Sequence, residues 1–477
     1  GGVTVRTERD CFGREIRKSV RSGGIEQGAY RYQWGIANRL LSKENELTGT
    51  VTRYDYDRFD FLIRQETMQG SETDVIYRVP DFVGNLFETP DKKDRKYGAG
   101  GKLLEDLDCF YHYDDEGNLI FREFKQLQAT GVRFDRKRME KERGIRCLAT
   151  GTGWLYEWSS NGMLKKVIRP DGRPVEFRYD ALGRRTAKQY FGKVTRWVWD
   201  GNVPIHEWGY KVTDRQPNEE ENTLSKEPIE DITTWVFEAG TFVPTAKILD
   251  GKQYSIVSDY LGTPIQMYDE RGNKIWDCIL NAYGKVLSLE IGEEFDCPFR
   301  FQGQYEDKET NLYYNRFRFY DPKIGNYISQ DPIGLIGKNP TLYSYVSDSN
   351  CWVDIWGLTK EISLPSTIDL KSGSDHVLER HVGNNSDWKH KSKWSGNRSD
   401  WKTTTRDTFR NPDRIIQSGD RFIYEKTYKK PIGVDSDGIT PLYKSRVVVE
   451  ADGKMVTAFP ENEFKELADH EKIIKHH

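Results

Sequence analysis

The sequence predicts a mainly β protein followed by a small α+β domain, and three observations support this. Aromatic residues make up 13% of the chain and 42 residues are Gly, which favours many short strands and tight turns over long helices. An aromatic-x-x-x-Gly motif recurs through the first 300 residues. It stops after the second of two Asp-x-x-Gly-Leu motifs. We therefore expect repeated hairpins in residues 1–300, a terminal segment in 301–358 and a separate domain in 359–477, called the tail below.

Each copy of the repeated motif predicts a β-hairpin. The best copies and two degenerate ones are YDDEG (Tyr113–Gly117), WSSNG (Trp158–Gly162), YDALG (Tyr179–Gly183), YDERG (Tyr268–Gly272), Asp10–Gly13 and Tyr54–Asp57. Asp at the start of a turn accepts backbone N–H bonds, and Gly supplies the positive φ that closes a short loop. Units of about 20 residues cannot bury a face alone, so they must stack. On this pattern alone, an ordinary β-meander with well-formed turns fits equally well.

Composition limits the function classes. No run of 18 apolar residues occurs, so no membrane-spanning helix is expected. The chain begins at Gly1 without a basic and apolar leader, as if it were part of a larger protein. Six scattered cysteines without a CxxC spacing predict reduced thiols in a protein made in a cytosol.

The repeats resemble the YD repeats of the Rhs, or tyrosine–aspartate, family. SDYLGTPIQMYDERGNKIWDCILNAYGKV and FRFQGQYEDKETNLYYNRFRFYDPKIGNYISQDPIGL resemble the C-terminal end of an Rhs core, and the resemblance extends from about Asp10 to Leu358. It implies strands that spiral into a large hollow shell enclosing the C-terminal segment. A stretch of this length would form only part of the shell wall.

The terminal segment contains the Asp-x-x-Gly-Leu motif twice, as DPIGL at Asp331–Leu335 and as DIWGL at Asp354–Leu358. The resemblance to Rhs cores implies self-cleavage directly after the second copy. We therefore expect the scissile bond between Leu358 and Thr359.

Asp331 and Asp354 are the expected catalytic pair. Two carboxylates held close together share a proton, so one can activate water while the other protonates the leaving nitrogen. Gly357 leaves room for the backbone near them, and Leu358 can anchor the scissile bond in an apolar pocket.

The alternative is that both motifs are only turns, with Asp capping and Gly closing each one. Ile355 and Trp356 also stand where the family has Pro after the second Asp, which puts the rigidity of that turn in question. Arg316 or Arg318 could hold the pair. Other acids of the segment, such as Asp321 and Asp348, are expected to be turn residues.

The tail has a different composition. Between Arg380 and Lys430 it carries 13 Lys and Arg against six Asp and Glu. SDHVLERHVG at Ser374–Gly383 predicts a short helix. Alternation in Arg421–Tyr428 and Lys444–Pro460, the latter with a turn at Ala451–Gly453, predicts an antiparallel sheet.

HVLERHVG and the later VVVEADGKMVTAFP resemble the RNase A-like toxins of contact-dependent inhibition proteins, with the barnase/EndoU/colicin/RelE group as a more distant match. The resemblance implies a catalytic His381, a basic partner at Lys391 or Lys393, and a contribution from Thr457. Phe459 stands where the family has Tyr, so the hydroxyl of Tyr424 or Tyr428 would have to replace the missing one.

Cleavage of RNA without a metal needs a base, an acid and a cation for the phosphate. His381 is the expected base and His376 the second choice, because five helical residues would turn the two rings about 140° apart. Lys391, Lys393 or Arg446 would supply the charge. A histidine on a helix is more often structural, and a basic run is often a solvated face or a docking surface for an acidic protein. The regularly spaced Trp388, Trp394 and Trp401 are more often core residues than base-stacking platforms.

The combined expectation is an antibacterial Rhs effector that cleaves itself and delivers a metal-independent ribonuclease. It would be made in a bacterial cytoplasm, secreted by a type VI system and active in the cytoplasm of a target cell. Expected partners are a cognate immunity protein, an RNA substrate, and spike or adaptor proteins bound through a missing N-terminal part. No cofactor or metal is expected, since GAGGK at Gly98–Lys102 lacks the P-loop spacing and no HNH pattern occurs. The alternatives are a DNase or ADP-ribosylating cargo, and a non-toxic YD-repeat adhesion protein.

Overall fold

The computed structural model of the chain describes residues 2–129, 131–214, 217–218, 223–224, 227–293, 296–334, 341–358, 369–371, 374–382, 390–395, 400–410, 412–418, 421–450, 454–465 and 471–476. The backbone divides into two compact units. One comprises Gly1–Glu8 with Glu15–Glu361, and the other Arg9–Arg14 with Ile362–His477. Strands far outnumber helices, which confirms the mainly-β prediction.

The first sheet is a seven-stranded meander in which each strand lies beside the next one along the chain. Its strands are β1 Val3–Arg9, β2 Glu15–Ser22, β3 Ile25–Trp34, β4 Leu40–Asn45, β5 Thr50–Tyr56, β6 Leu62–Gln69 and β7 Glu72–Tyr77. A separate two-stranded ribbon follows, formed by β8 Val79–Pro80 and β9 Leu86–Phe87. Short 3-10 helices cover Ile36–Asn38, Ala99–Gly101 and Val212–Asp214.

The second sheet has sixteen strands, again almost entirely in chain order. They are β10 Lys96–Tyr97, β11 Leu103–Glu105, β12 Cys109–Tyr113, β13 Leu119–Phe124, β14 Gly153–Trp158, β15 Leu164–Ile168, β16 Pro174–Tyr179, β17 Arg185–Tyr190, β18 Lys193–Asp200, β19 Val203–Lys211, β22 Thr233–Phe237, β23 Pro244–Leu249, β24 Lys252–Ser258, β25 Pro264–Tyr268, β26 Lys274–Leu280 and β27 Val286–Ile291. Strands β20 Pro217–Asn218 and β21 Thr223–Leu224 pair with each other outside this sheet. The connection from β13 to β14 contains helix α1 Arg136–Arg143, which Asp135 caps at its N-terminus and Gly144 closes in the left-handed conformation.

The repeated motif forms the predicted hairpin turns. In YDALG the carboxylate of Asp180 accepts the N–H groups of Leu182 and Arg184, both at 2.9 Å. The N–H of Gly183 donates to the Asp180 carbonyl at 3.0 Å, and Gly183 has a φ of 73°. The same turn recurs where Asp60, with a φ of 68°, stands in the glycine position. The hairpin interpretation of the repeat is therefore confirmed.

The terminal segment packs against the sixteen-stranded sheet. It forms a four-stranded antiparallel sheet of β28 Tyr305–Asp307, β29 Leu312–Asn315, β30 Arg318–Asp321 and β31 Asn326–Tyr327. Leu312, Tyr314 and Phe319 enter the core of the large sheet. A second cluster gathers aromatic side chains of the segment itself, including Tyr320 and Tyr327. Burial on this scale fixes the position of the polar side chains between these aromatic groups.

The second unit combines two helices with two antiparallel sheets. Its elements are α2 Ser374–His381, β32 Lys393–Trp394, α3 Asp400–Arg410, β33 Arg414–Ser418, β34 Arg421–Thr427, β35 Gly433–Val434, β36 Pro441–Leu442, β37 Lys444–Glu450, β38 Met455–Glu461 and β39 Glu471–His476. The larger sheet has the order β38-β37-β34-β33-β39, and β32, β35 and β36 form the smaller one. The predicted helix and the strands of Arg421–Tyr428 and Lys444–Pro460 are present, while the turn at Ala451–Gly453 lies outside the described residues.

The sequence analysis did not predict α3. This helix lies within the basic stretch and buries Trp401, Thr405 and Phe409, which recur every four residues on one face. Charged residues between these positions hide the apolar pattern in the sequence. Trp394 and Trp401 are core residues, as the more conservative interpretation of the tryptophans held, and Trp388 lies outside the described residues.

None of the six cysteines forms a disulfide bond, and three of them, Cys109, Cys278 and Cys297, are buried, whereas Cys11 is exposed. Among the described residues, no helix combines the length and apolarity needed to cross a membrane.

Candidate functional site

Both Asp-x-x-Gly-Leu motifs fold as turns. In the first, the N–H of Gly334 donates to the carbonyl of Asp331 at 2.8 Å. In the second, the N–H of Leu358 donates to Oδ1 of Asp354 at 3.0 Å. Gly334 and Gly357 have φ angles of 57° and 65°, so both occupy the left-handed region that favours glycine. The interpretation of the motifs as turns is therefore right about their local geometry.

The two turns also bring their aspartates to one cation. Nη2 of Arg318, at the start of β30, lies 3.2 Å from Oδ2 of Asp331 and 3.2 Å from Oδ2 of Asp354. The Arg318 side chain is 0% exposed, and each carboxylate side chain is 4% exposed. Because both Oδ2 atoms contact the same nitrogen of Arg318, the two carboxylates lie next to each other. Arg316 instead donates to the carbonyls of Leu182 and Gly183.

The guanidinium changes the electrostatics expected from the sequence. Two buried carboxylates alone would have to share a proton, because burying two negative charges together is costly. Arg318 places a positive charge within ion-pair distance of both Asp331 and Asp354, which offsets part of this cost. Arg318 is therefore a third member of the site, which we call the carboxylate pair with its arginine.

Asp354 is held by side chains that the sequence analysis did not select. The hydroxyl of Tyr327 donates to Oδ2 of Asp354 at 2.8 Å. Nδ2 of Asn315 donates to the Asp354 carbonyl and to the Tyr327 hydroxyl, both at 2.8 Å. The backbone N–H of Asp354 donates to the hydroxyl of Tyr345 at 3.2 Å. The sequence around Arg318 is dense in aromatic and polar residues, but such a pattern does not tell which side chain meets a carboxylate.

The peptide group before the predicted cut is fixed on both sides. The carbonyl of Gly357 accepts a hydrogen bond from Nε of Arg318, and the N–H of Leu358 bonds to Asp354. A Cβ at position 357 would overlap the carbonyl oxygen of Asn315, so only glycine lets the backbone come this close. Leu358 is half-buried, and Thr359 lies outside the described residues.

The second turn lacks the proline that the family has after the second Asp, and packing of Trp356 holds it instead. The ring of Trp356 meets the ring of Phe242 edge to face, with centroids 5.2 Å apart. The carbonyl of Trp356 accepts the N–H of Phe317 at 3.2 Å. Both contacts tie the turn to residues distant in sequence and restrict it without a proline ring.

In the tail, His381 is the last residue of α2 and is 5% exposed. Its Nδ1 lies 2.9 Å from the carbonyl of Ser392. A carbonyl only accepts hydrogen bonds, so Nδ1 carries the proton and Nε2 of the neutral ring is free to take one. The pKa of His381 is lowered to about 4. Burial is the main cause, and the charges of His376, Lys393 and Lys391 act in the same direction, whereas the hydrogen bond to Ser392 raises the pKa. The ring is therefore neutral at pH 7.

His376 does not face away from His381, contrary to expectation. The centroids of the two rings lie 6.4 Å apart, and the ring of Phe459 stacks on His381 at 5.1 Å. His381 ends the helix and Ser392 holds its ring, so the helical angle between the two residues does not decide where the rings point. Burial, together with the charge of Arg380, lowers the pKa of His376.

The predicted cations differ in their surroundings. Nζ of Lys393 donates to the Arg380 carbonyl at 2.7 Å, and burial lowers the pKa of Lys393. The guanidinium of Arg446 lies 5.6 Å from the ring centroid of Phe459, and its Nε donates to Glu425 at 2.7 Å. Arg446 is thus close to the His381–Phe459 stack but already neutralised. Lys391 is half-buried.

Tyr424 does not join these residues, and its assignment to the site was wrong. In β34, β37 and β38 it is aligned with Val447, which is aligned with Ala458, so all three point to one face of the sheet. Phe459 and Thr457 alternate with Ala458 and point to the other face. Tyr424 instead packs on Phe409 in the core, with ring centroids 4.7 Å apart.

Tyr428 cannot supply the missing hydroxyl either. Its hydroxyl donates to Oδ2 of Asp407 at 2.9 Å and lies 3.0 Å from Oγ1 of Thr408, so α3 holds it. The hydroxyl of Thr457 is buried and has no hydrogen-bond partner within the part of the chain that the structure describes. The described residues contain no group of three or more His, Cys, Asp or Glu side chains placed to hold a metal ion.

Comparison with known proteins gives the family. The family model described as the teneurin YD-shell matches residues 51–342, more than half of the chain. The chain belongs to the teneurin YD-shell family. Its hairpin repeats and the carboxylate pair thus lie in, or directly after, an Rhs/YD-repeat shell.

Several curated relatives are toxins. The chain is 30% identical over 392 residues to "Double-stranded DNA deaminase toxin A" of Burkholderia cenocepacia, with 76% of this chain and 25% of the relative covered. It is 27% identical over 390 residues to "Probable deoxyribonuclease RhsA" of Dickeya dadantii, covering 75% and 24%. For "Toxin protein Tse5" of Pseudomonas aeruginosa, identity is 27% over 420 residues, covering 72% and 30%. The chain spans about a quarter of the length of the first of these relatives.

Proposed function

We propose that this chain is part of an Rhs toxin that cleaves itself after Leu358 and releases its tail as an enzyme. The observation that carries the proposal is the meeting of Asp331 and Asp354 at the guanidinium of Arg318. Two turns would not need to share one buried cation if each only closed a loop. The hydrogen bond from the Leu358 N–H to Asp354 supports the proposal, because Leu358 supplies the carbonyl group of the expected scissile bond.

In the proposed reaction, one carboxylate takes a proton from water as the water oxygen attacks the carbonyl carbon of Leu358. The same carboxyl group then donates that proton to the nitrogen of Thr359 as the bond between this nitrogen and the Leu358 carbonyl carbon breaks. The products are a carboxylate at Leu358 and an amine at Thr359. Arg318 keeps the two carboxylates together and fixes the preceding peptide through the Gly357 carbonyl.

Intact mass spectrometry tests this proposal. The wild-type chain should give two fragments divided between Leu358 and Thr359, and Asp354→Asn should give one uncut chain. Asp180→Asn is the matched control, because Asp180 caps a hairpin turn in the same way. A single uncut wild-type chain, or cleavage of Asp354→Asn at the wild-type site, would overturn the proposal.

For the tail, the proposed activity is metal-independent cleavage of RNA. The free Nε2 of His381 would take the proton of the 2′-OH. Lys391 and Lys393 would balance the phosphate charge, and the unpartnered Thr457 hydroxyl would donate to a phosphate oxygen. An approaching phosphate would favour protonation of His381, opposing the effect of burial. His376, close to the same ring, is the candidate acid.

A DNA-acting cargo is the second candidate, since relatives are named as a double-stranded DNA deaminase toxin and probable deoxyribonucleases. Digestion of RNA and DNA with and without EDTA separates the candidates. RNA cleavage that survives EDTA and is lost in His381→Gln supports the ribonuclease. His390→Gln, an exposed histidine of the tail, is the control. EDTA-sensitive DNA cleavage, or deamination of DNA, supports the second candidate.

The proposed partners follow from this function. A toxin requires an immunity protein in the cell that makes it, and the basic stretch Arg380–Lys430 fits an acidic one. Secretion proteins would engage parts of the longer protein that lie outside this chain. The proposed place of action is the cytoplasm of a target bacterium, where RNA is present.

A further inference from the structure

Asp354 lies in a closed ring of hydrogen bonds that the cleavage reaction itself does not require. Asn315 donates to the Asp354 carbonyl and to the hydroxyl of Tyr327, and Tyr327 donates to Oδ2 of Asp354, each at 2.8 Å. Tyr327 is 1% exposed and belongs to β31, while Asn315 ends β29. Two strands of the terminal segment thus hold the main chain and the side chain of the same residue.

The direction of every hydrogen bond in this ring is fixed. The Asp354 carbonyl only accepts, so the atom of Asn315 that faces it is the NH2 group. The second hydrogen of that NH2 group is donated to the Tyr327 oxygen, so the hydroxyl proton of Tyr327 must point at the Asp354 carboxylate. Burial first, and then the charge of Asp354, raise the pKa of Tyr327 well above its ordinary value, so the hydroxyl keeps its proton.

Tyr327 also contacts the arginine of the site. The guanidinium carbon of Arg318 lies 3.6 Å from the centroid of the Tyr327 ring, which is cation–π distance. The Tyr327 ring therefore fixes the position of the guanidinium while its hydroxyl fixes the carboxylate. With the Leu358 N–H on Oδ1, both oxygens of Asp354 are oriented.

We infer that Tyr327, itself held by Asn315, is a positioning residue that holds the Asp354 carboxylate in place beside Leu358 for the cleavage reaction. This rests on the proposed self-cleavage. The other titratable or charged groups facing Asp354 are Arg318, Asp331 across it, and Tyr345, whose hydroxyl accepts the Asp354 N–H. A hydroxyl donor favours the ionised form of a carboxylate, so its removal should make cleavage more sensitive to acid.

The test follows cleavage of the full chain after cell-free synthesis, by pulse and chase at a series of pH values. Tyr327→Phe should slow the appearance of the two fragments about 10- to 100-fold. The loss of activity at the acid side of the pH profile should begin at higher pH than in the wild type. Tyr320→Phe is the matched control: it also loses a buried hydroxyl bond, to the Tyr283 carbonyl at 2.7 Å, in the same aromatic cluster.

A double-mutant cycle tests whether the two residues act together. Asn315→Ala should slow cleavage about tenfold. Adding it to Tyr327→Phe should slow cleavage little more, because both changes break the same ring of hydrogen bonds. Protease resistance of the uncut chains shows whether each variant is folded. If Tyr327→Phe is not folded, the rate and pH profile of Asn315→Ala decide the question alone.

Four results would overturn the inference. Tyr327→Phe with the rate and pH profile of Tyr320→Phe would show that the hydroxyl has no role, and multiplying losses in the double variant would show that Asn315 acts separately. An uncut wild-type chain would remove the proposed function and this inference together. Wild-type cleavage that Asp354→Asn abolishes, with normal cleavage by Tyr327→Phe, would remove the inference alone.

Discussion

Asp354 and His381 are almost equally buried, at 6% and 5% exposed, yet their surroundings differ in kind. Asp354 receives Arg318, Tyr327 and the Leu358 N–H, which come from three places in the chain. Among the described residues, the ring of His381 makes one hydrogen bond, to the Ser392 carbonyl, and it otherwise lies against the rings of Phe459 and His376. A buried group keeps its charge where donors converge on it, and stays neutral where they do not.

Because their surroundings differ, the two sites should tolerate different kinds of change. The carboxylate pair depends on backbone placed to within a fraction of an ångström, because Gly357 passes directly beside Asn315. The tail site depends mostly on the protonation of one ring. Changes of backbone should therefore damage the first site most, and changes of pH should affect the second.

The largest expected effect is that of Gly357→Ala. The added Cβ would overlap the Asn315 carbonyl at a backbone φ of 65°, so the turn must move and self-cleavage should fall about 100-fold or more. The fraction of uncut chain, measured by intact mass over time, gives the result.

Gly334→Ala is the control, because Gly334 is the equivalent glycine of the first motif. It has a similar φ of 57°, but no atom of the described part of the chain lies within 4 Å of an added Cβ. Only the backbone strain of about 1 kcal/mol remains, and cleavage should change a few-fold at most. Equal effects of the two substitutions would show that crowding at Asn315 does not matter.

The second prediction concerns the stability of the tail in acid. The pKa of His381 is lowered to about 4 in the folded chain, whereas an exposed histidine titrates near 6.5. The unfolded chain therefore binds a proton first as the pH falls. Stability should be highest above about pH 6.5 and should be lost progressively toward pH 4, by about 2 kcal/mol between pH 7 and pH 5.

Hydrogen exchange of the amides in β34 and β37, corrected for intrinsic rates, measures this loss in the full chain. His381→Gln cannot titrate and should flatten the pH dependence, while His390→Gln should leave it unchanged. A flat wild-type profile would mean that His381 is not buried as neutral imidazole.

The smallest expected effect is that of Thr457→Val. The Thr457 hydroxyl has no hydrogen-bond partner among the described residues, so its replacement by a methyl group should not lower the free energy of unfolding. Cleavage of RNA should nevertheless fall about tenfold if the hydroxyl binds phosphate. Thr404→Val in α3 is the control for activity. Unchanged RNA cleavage by Thr457→Val would remove Thr457 from the proposed site.

Local patterns predicted those parts of the molecule that depend on neighbouring residues. The turns at Asp180 and Asp269 follow from Asp and Gly at fixed spacing, since the side chain and the backbone that bond to each other lie within four residues. The strands of the tail followed from alternation for the same reason. Helix α3 was not predicted because its five charged residues outnumber the four buried ones, Trp401, Thr405, Thr408 and Phe409.

The sequence by itself determined the hairpins, the mainly-β class and the candidate aspartates, because each depends on residue types a few positions apart. Only the tertiary structure decided that Arg318 rather than Arg316 joins Asp331 and Asp354, and that Tyr327 completes the ring around Asp354. It also placed Tyr424 on the wrong face of its sheet for the tail site. Which side chains meet in a core depends on how distant strands pack, and no short-range pattern records that packing.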